Sequence, residues 1–255
     1  MHMKNSKFSG INQITKEEIK KSISDYFPKE SHRGGKRRLL SFNKVTNLKE
    51  LIDFCVEDYG AWKGAVLMGA GAYLKIGMYP TEIAAAKKYV REKVYNYLTG
   101  NPASTPEEYD AWHKEICLTL SNAQNFFQEY SISRKRSQDK LKNKSGFTVG
   151  NAQKFLNMLM KDLYACLSQD SSFLKNYEKY FEYCHMPLDS YILRFIDDIR
   201  NREGVEKASR TWRWSNLTSY DTYMDEQRDV REYVNKHNAK VTVLQVEFMV
   251  WQLYK

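Results

Sequence analysis

Gly146-Phe147-Thr148-Val149-Gly150-Asn151-Ala152-Gln153-Lys154, running on into Phe155, Leu156, Leu159, Leu163 and Leu167, is the stretch on which the fold of this chain turns. A glycine-containing turn opens a segment whose apolar residues recur at helical spacing and define one buried stripe. That stripe places Lys154, Asn157 and Lys161 on a different face, which can look into a cleft. Downstream, His185-Met186-Pro187-Leu188-Asp189-Ser190 reads as a proline turn in which Asp189 caps a further helix carrying Ile192, Leu193, Phe195 and Ile196.

Moving outward, helices are predicted nearly everywhere. Thr15-Lys16-Glu17-Glu18 has a capping-box pattern and starts a short helix through Tyr26. Asn47 caps a segment with Leu48, Leu51, Ile52 and Cys55 at helical spacing, and a glycine- and alanine-rich helix is expected from Ala61 to Lys75. Pro80-Thr81-Glu82 begins a helix that stops at Thr99-Gly100, and Ser104-Thr105-Pro106-Glu107-Glu108 begins another. Apart from Ala239 to Val243 there is no period-2 alternation, so the expected class is all-α. The expected division is an N-terminal helix and basic arm over 1–45 and a helical domain over 46–255, with the chemistry in 145–200.

The 255 residues carry 42% hydrophobic side chains and a formal charge of +9, enough to bury a core and to favour a polyanionic partner. Nucleic acid comes first and a membrane surface second. No apolar run is long enough to span a bilayer and no signal-peptide pattern is present, so a cytoplasmic protein without a membrane partner is expected. Cys55, Cys117, Cys166 and Cys184 are far apart and lack metal-ligand spacing, so reduced thiols, no metal and no cofactor are expected.

The strongest electrostatic feature is the basic run Arg134, Lys135, Arg136, Lys140, Lys142 and Lys144, which leads directly into the Gly150 turn. A second basic stretch, His32 to Arg38, is either a solvated linker or a phosphate-contacting arm. Lys154 in a first helical turn can supply an amine nucleophile, and Asp189 can stabilise a cation developing beside it. Taken singly, each also fits a blander role, as a solvated lysine and a helix cap. Trp212-Arg213-Trp214 interleaves aromatics with a cation, which suits either a base-stacking pocket or two core tryptophans beside a surface arginine. His185 is assigned no chemistry.

The Gly150 turn, Asn151-Ala152-Gln153-Lys154 and His185-Met186-Pro187-Leu188-Asp189 together resemble the helix-hairpin-helix DNA glycosylases, in particular the divergent archaeal 8-oxoguanine DNA glycosylase branch. The resemblance runs over Ser145 to Lys255. It implies a two-lobed helical fold, with Lys154 as the Schiff-base lysine and Asp189 as the essential aspartate. It also implies that Gly150, Asn151 and Gln153 contact DNA and that Trp251 lines a base pocket; to these the charge pattern adds Arg134, Lys135, Arg136, Lys142 and Lys144 as DNA contacts, and the aromatic–cation interleaving adds Trp214 to the pocket. Two departures stand out: Gly150 alone holds the place of the usual Gly-x-Gly pair, and the cysteine cluster of the iron–sulfur subfamily is absent.

The function implied is that of a monomeric enzyme on double-stranded DNA that flips out one modified base and cleaves its N-glycosidic bond. Oxidised guanine and a hypermodified base of phage DNA are the two substrates in view, for repair or for phage defence. Strand cleavage by elimination results if Lys154 attacks, and an abasic site if Asp189 activates water. A non-catalytic nucleic-acid-binding protein and an interaction subunit of a defence system are the alternatives.

Overall fold

In the computed structural model the described residues are 14–26, 45, 47–59, 61–62, 79–129, 146–169, 175–206 and 209–254. Every regular element among them is helical. We number the helices α1 (Lys16–Tyr26), α2 (Leu48–Phe54, continued by a π-helical turn Cys55–Tyr59), α3 (Pro80–Thr99), α4 (Pro106–Ser121), α5 (Val149–Leu167), α6 (Ser190–Glu203), α7 (Tyr220–Asn238) and α8 (Val243–Tyr254). Short 3₁₀ turns lie at Glu178–Phe181 and Trp214–Asn216.

The helix starts obey the capping chemistry. Thr15 and Glu18 exchange side-chain and backbone hydrogen bonds, with the Thr15 amide donating to Glu18 at 2.8 Å and the Glu18 amide to Thr15 Oγ1 at 3.2 Å. Asn47 accepts from the Glu50 amide and Thr105 from the Glu108 amide, so the exposed amides of α2 and α4 are satisfied by the residues that the sequence marks. The 239–243 alternation forms the turn into α8 rather than a strand. The predicted 61–75 helix falls, beyond residue 62, outside the described residues, as do His32 to Arg38.

Helix α5 is the axis of the molecule. Every one of its residues except Met158 is buried, because α4 packs along one side and α1, α2 and the 214–216 turn close others. The expected open polar face is therefore corrected: Lys154, Asn157 and Lys161 are all buried, and polar groups from other elements meet them. Burial of such residues is tolerable only when each is paired.

The N-terminal helix belongs to this same body. Ile19 and Ile23 of α1 lie in the core, α1 packs on α8, Gln252 donates to the Ser22 carbonyl at 2.9 Å, and Tyr26 donates to Asp162 at 2.6 Å. All four cysteines are buried and free. No described helix is long and apolar enough to cross a membrane.

Candidate functional site

Lys154 lies in the second turn of α5, one turn later than expected because the helix already starts at Val149, and Asp189 lies just ahead of α6; the fold brings them together. Lys154 Nζ donates to Asp189 Oδ2 at 2.7 Å. The other carboxylate oxygen, Oδ1, accepts the Tyr191 and Ile192 amides at 2.8 and 3.0 Å, so Asp189 caps α6 and faces the lysine at once. Burial by itself would raise the Asp189 carboxyl; the Lys154 ammonium and the two amides outweigh it and hold the group below its ordinary range. The pair is shielded but not sealed, with side-chain exposures of 8% for Lys154 and 13% for Asp189.

A second pair lies two turns further along α5. Lys161 meets Glu247 of α8 at 2.5 Å, with both side chains about 1% exposed. The Lys161 ammonium also lies over the rings of Tyr26, Phe248 and Trp251, at 4.3, 4.9 and 5.2 Å from their centroids. Burial pushes Lys161 down and Glu247 up, towards their neutral forms, and each charge opposes that shift in its partner. Sequence reasoning missed Glu247, an acid in a strongly apolar helix and a signal that it has a buried partner.

The extended segment 185–188 that delivers Asp189 is held by a polar network. Gln153 pairs with the Leu188 peptide, its Oε1 accepting the amide and its Nε2 donating to the carbonyl, both at 3.1 Å. Gln227 does the same to Met186, at 3.1 and 2.8 Å. Asn157 donates to Gln153 Oε1 and Tyr223, and its Oδ1 is 3.0 Å from His113 Nε2. His185, Met186 and Leu188 are buried within this frame.

The histidine tautomers are set by the partners. The Asp110 carboxylate can only accept, so His185 Nε2 carries the proton that points at it, 2.7 Å away, and Nδ1 is left to accept from the Tyr223 hydroxyl at 2.8 Å. Arg231 grips the same carboxylate through two nitrogens. Burial keeps both His113 and His185 below the usual imidazole value, although Asp110 partly opposes this at His185.

Three expected DNA contacts need correction. The Gly150 amide donates to the Leu217 carbonyl at 2.9 Å, which occupies it within the protein. Asn151 completes a capping box with Thr148. Gln153 spends both donors, on the Gly150 and Leu188 carbonyls, and both acceptor positions, on the Asn157 and Leu188 donors. All three are buried and hydrogen-bond within the protein, so in this fold they hold the start of α5 and the 185–188 segment in place. Arg134, Lys135, Arg136, Lys142 and Lys144, and any first helix of a hairpin before Gly146, lie outside the described residues.

The two tryptophans stand at different levels of α5. The Trp214 carbonyl abuts Gly150, while Trp251 is partly buried over Lys161 and edge-on to Tyr26 at 6.0 Å. Gly150 and Lys161 are separated by roughly 16 Å of helix axis, with Lys154 between them. Trp212 and Trp214 pack partly against the core and Arg213 is exposed. Two cavities among the described residues, of about 210 and 340 Å³, lie elsewhere, one beside Arg200 and Lys236 and the other beside Asp53 and Arg91. Among the described residues no His, Cys, Asp and Glu group is arranged to hold a metal ion. The chain matches no known protein family, no curated protein and no solved structure.

Proposed function

We propose that this protein is a DNA glycosylase that extrudes a modified nucleotide and cleaves its N-glycosidic bond with Lys154 and Asp189. The observation that carries this is the 2.7 Å approach of Lys154 Nζ to Asp189 Oδ2 across 35 residues of sequence, at a position that retains access to solvent. An amine and a carboxylate in contact, the carboxylate held at the start of α6, are what displacement at a sugar C1′ requires. The Lys154 ammonium first passes a proton to Asp189, which hands it on to the base, and this frees the Nζ lone pair. Nζ then bonds to C1′ as the C1′–N bond breaks and its electrons leave with the protonated base, and the proton that the new C1′–N bond makes acidic is taken up by the restored Asp189 carboxylate. Asp189 also steadies the positive charge building on the sugar. Opening of the sugar ring then gives an imine, from which the strand breaks by elimination.

The +9 charge supports a polyanionic substrate. The two lobes, the hairpin and a grip on DNA by the 134–144 basic run belong to this proposal, as do Trp251 as a wall of the base pocket and a monomeric, cytoplasmic protein. Oxidised guanine and a hypermodified phage base are the substrate classes to be tried.

The experiment is release of base from unmodified, oxidised and hypermodified-cytosine DNA by wild type and Lys154→Gln, with borohydride present. Lysine-dependent release with a trapped adduct supports the full reaction. Lysine-dependent release without an adduct places water, activated by Asp189, as the attacking group. No release from any of the three pools would overturn the glycosylase assignment.

A further inference from the structure

We propose that Gln153 is the positioning residue of the Lys154–Asp189 pair, a clamp that fixes the distance between nucleophile and carboxylate; this rests on the glycosylase function proposed above. Gln153 precedes Lys154, and Leu188 precedes Asp189. The side-chain amide of Gln153 pairs with the peptide of Leu188 as one strand pairs with another, through two hydrogen bonds of 3.1 Å. The two reacting groups are thus each one residue from the same pair of hydrogen bonds, and a shift of segment 185–188 along α5 must break both.

The clamp is itself held. Gln153 Nε2 also donates to the Gly150 carbonyl at 2.9 Å, and Asn157, one turn further on, donates to its Oε1 at 3.1 Å. All four hydrogen-bonding positions of the amide are therefore filled, and the side chain is fully buried. A rotamer change would strand several buried polar groups, which makes one orientation strongly preferred. Gln227 fixes Met186 in the same manner but two residues further from Leu188, so it holds the segment down without setting the position of Asp189 directly. Helix caps alone would not do this: Asp189 bonded to the Tyr191 and Ile192 amides is fixed to α6, not to α5.

The test separates positioning from stability and from the activity assignment. Lys154→Gln, Asp189→Asn and the double variant are made in the full chain, with Gln153 and with the similarly sized Gln153→Met, and their unfolding in urea gives the coupling between the two charged residues. The clamp predicts a coupling of about tenfold or more in the unfolding constant with Gln153 present, falling to within about twofold with Gln153→Met. An equal coupling in both backgrounds would overturn it. Should Gln153→Met not fold, Gln153→Glu takes its place: it keeps the acceptor for the Leu188 amide, sets a second oxygen against the Leu188 carbonyl, and is expected to lose coupling likewise.

On a DNA pool that wild type cleaves, Gln153→Met should lower kcat about 100-fold with KM within about threefold, as displacement of a reacting group by an ångström does. Ile199→Ala, a buried truncation towards the other end of α6, serves as a control of matched stability. An equal loss of kcat in that control would reduce Gln153 to a structural role. If wild type releases no base, the glycosylase assignment fails while the coupling measurement still judges the clamp.

Discussion

Lys161 Nζ lies 2.5 Å from Glu247 Oε2 in a site walled by Tyr26, Phe248 and Trp251, and the pair is closed to solvent where Lys154–Asp189 is not. Two lysines on one helix thus make two carboxylate pairs with different consequences. A sealed pair is a packing feature whose Coulomb gain is offset by the cost of desolvating both ions. Replacing Lys161 alone by Met leaves an uncompensated buried carboxylate and should cost about 3–5 kcal/mol, whereas Lys161→Met with Glu247→Leu should bring stability back to within about 1 kcal/mol of wild type. Urea unfolding of the three variants checks this; a double variant as unstable as the single would show that the charges themselves are needed.

Gly150 allows the start of α5 to touch the 214–217 turn. A Cβ there would sit 1.6 Å from the Trp214 carbonyl oxygen, and backbone cannot move aside as cheaply as a side-chain tip. Gly150→Ala should therefore cost about 3 kcal/mol and break the Gly150–Leu217 hydrogen bond. A thermal unfolding midpoint unchanged from wild type would show that helix and turn have room to separate.

Stability should fall on mild acidification. His113 and His185 are buried and neutral, with folded-state values below the ordinary imidazole value. The unfolded chain therefore takes up protons first, near pH 6.5, and the native state loses stability as pH falls from there toward the folded-state values. Each histidine contributes a slope of up to about 1.4 kcal/mol per pH unit. Glu247, whose carboxyl is raised by burial, works in the opposite sense, as one group against two. The lowered carboxyls of Asp110 and Asp189 add their losses only below about pH 4. Unfolding free energies at pH 7.5 and 5 are expected to differ by about 2 kcal/mol; equal values would mean that both imidazoles can accept protons in the folded state.

The helix starts were legible because capping is local: Thr15, Asn47, Thr105 and Asp189 each carry a side-chain acceptor at the place where free amides begin. The pairing of Lys154 with Asp189 was legible only through resemblance, since no local rule links residues 35 positions apart. What remained hidden was the burial of the polar side of α5. Gln153, Asn157 and Lys161 have the spacing of a solvent-facing stripe, and periodicity separates apolar from polar without separating water from a polar interior. The residue types held a clue, because short amides such as Gln153 and Asn157, unlike a run of Lys and Glu, suit hydrogen bonding to buried backbone. His185 and Asp110 illustrate the same limit: the network they form is assembled from α4, α7 and the 185–188 segment, and no single stretch of sequence contains it.

The central claim, that Lys154 and Asp189 form a base-excising centre, is tested most directly by borohydride trapping on oxidised and hypermodified DNA with wild type, Lys154→Gln and Asp189→Asn. A covalent protein–DNA adduct is predicted with wild type on one of the two substrates. It should be lost with Lys154→Gln and weakened by about 100-fold or more with Asp189→Asn, the cost of removing one charge-stabilising group. An adduct formed equally well by Lys154→Gln, or no adduct and no released base with wild type on either DNA, would contradict the account.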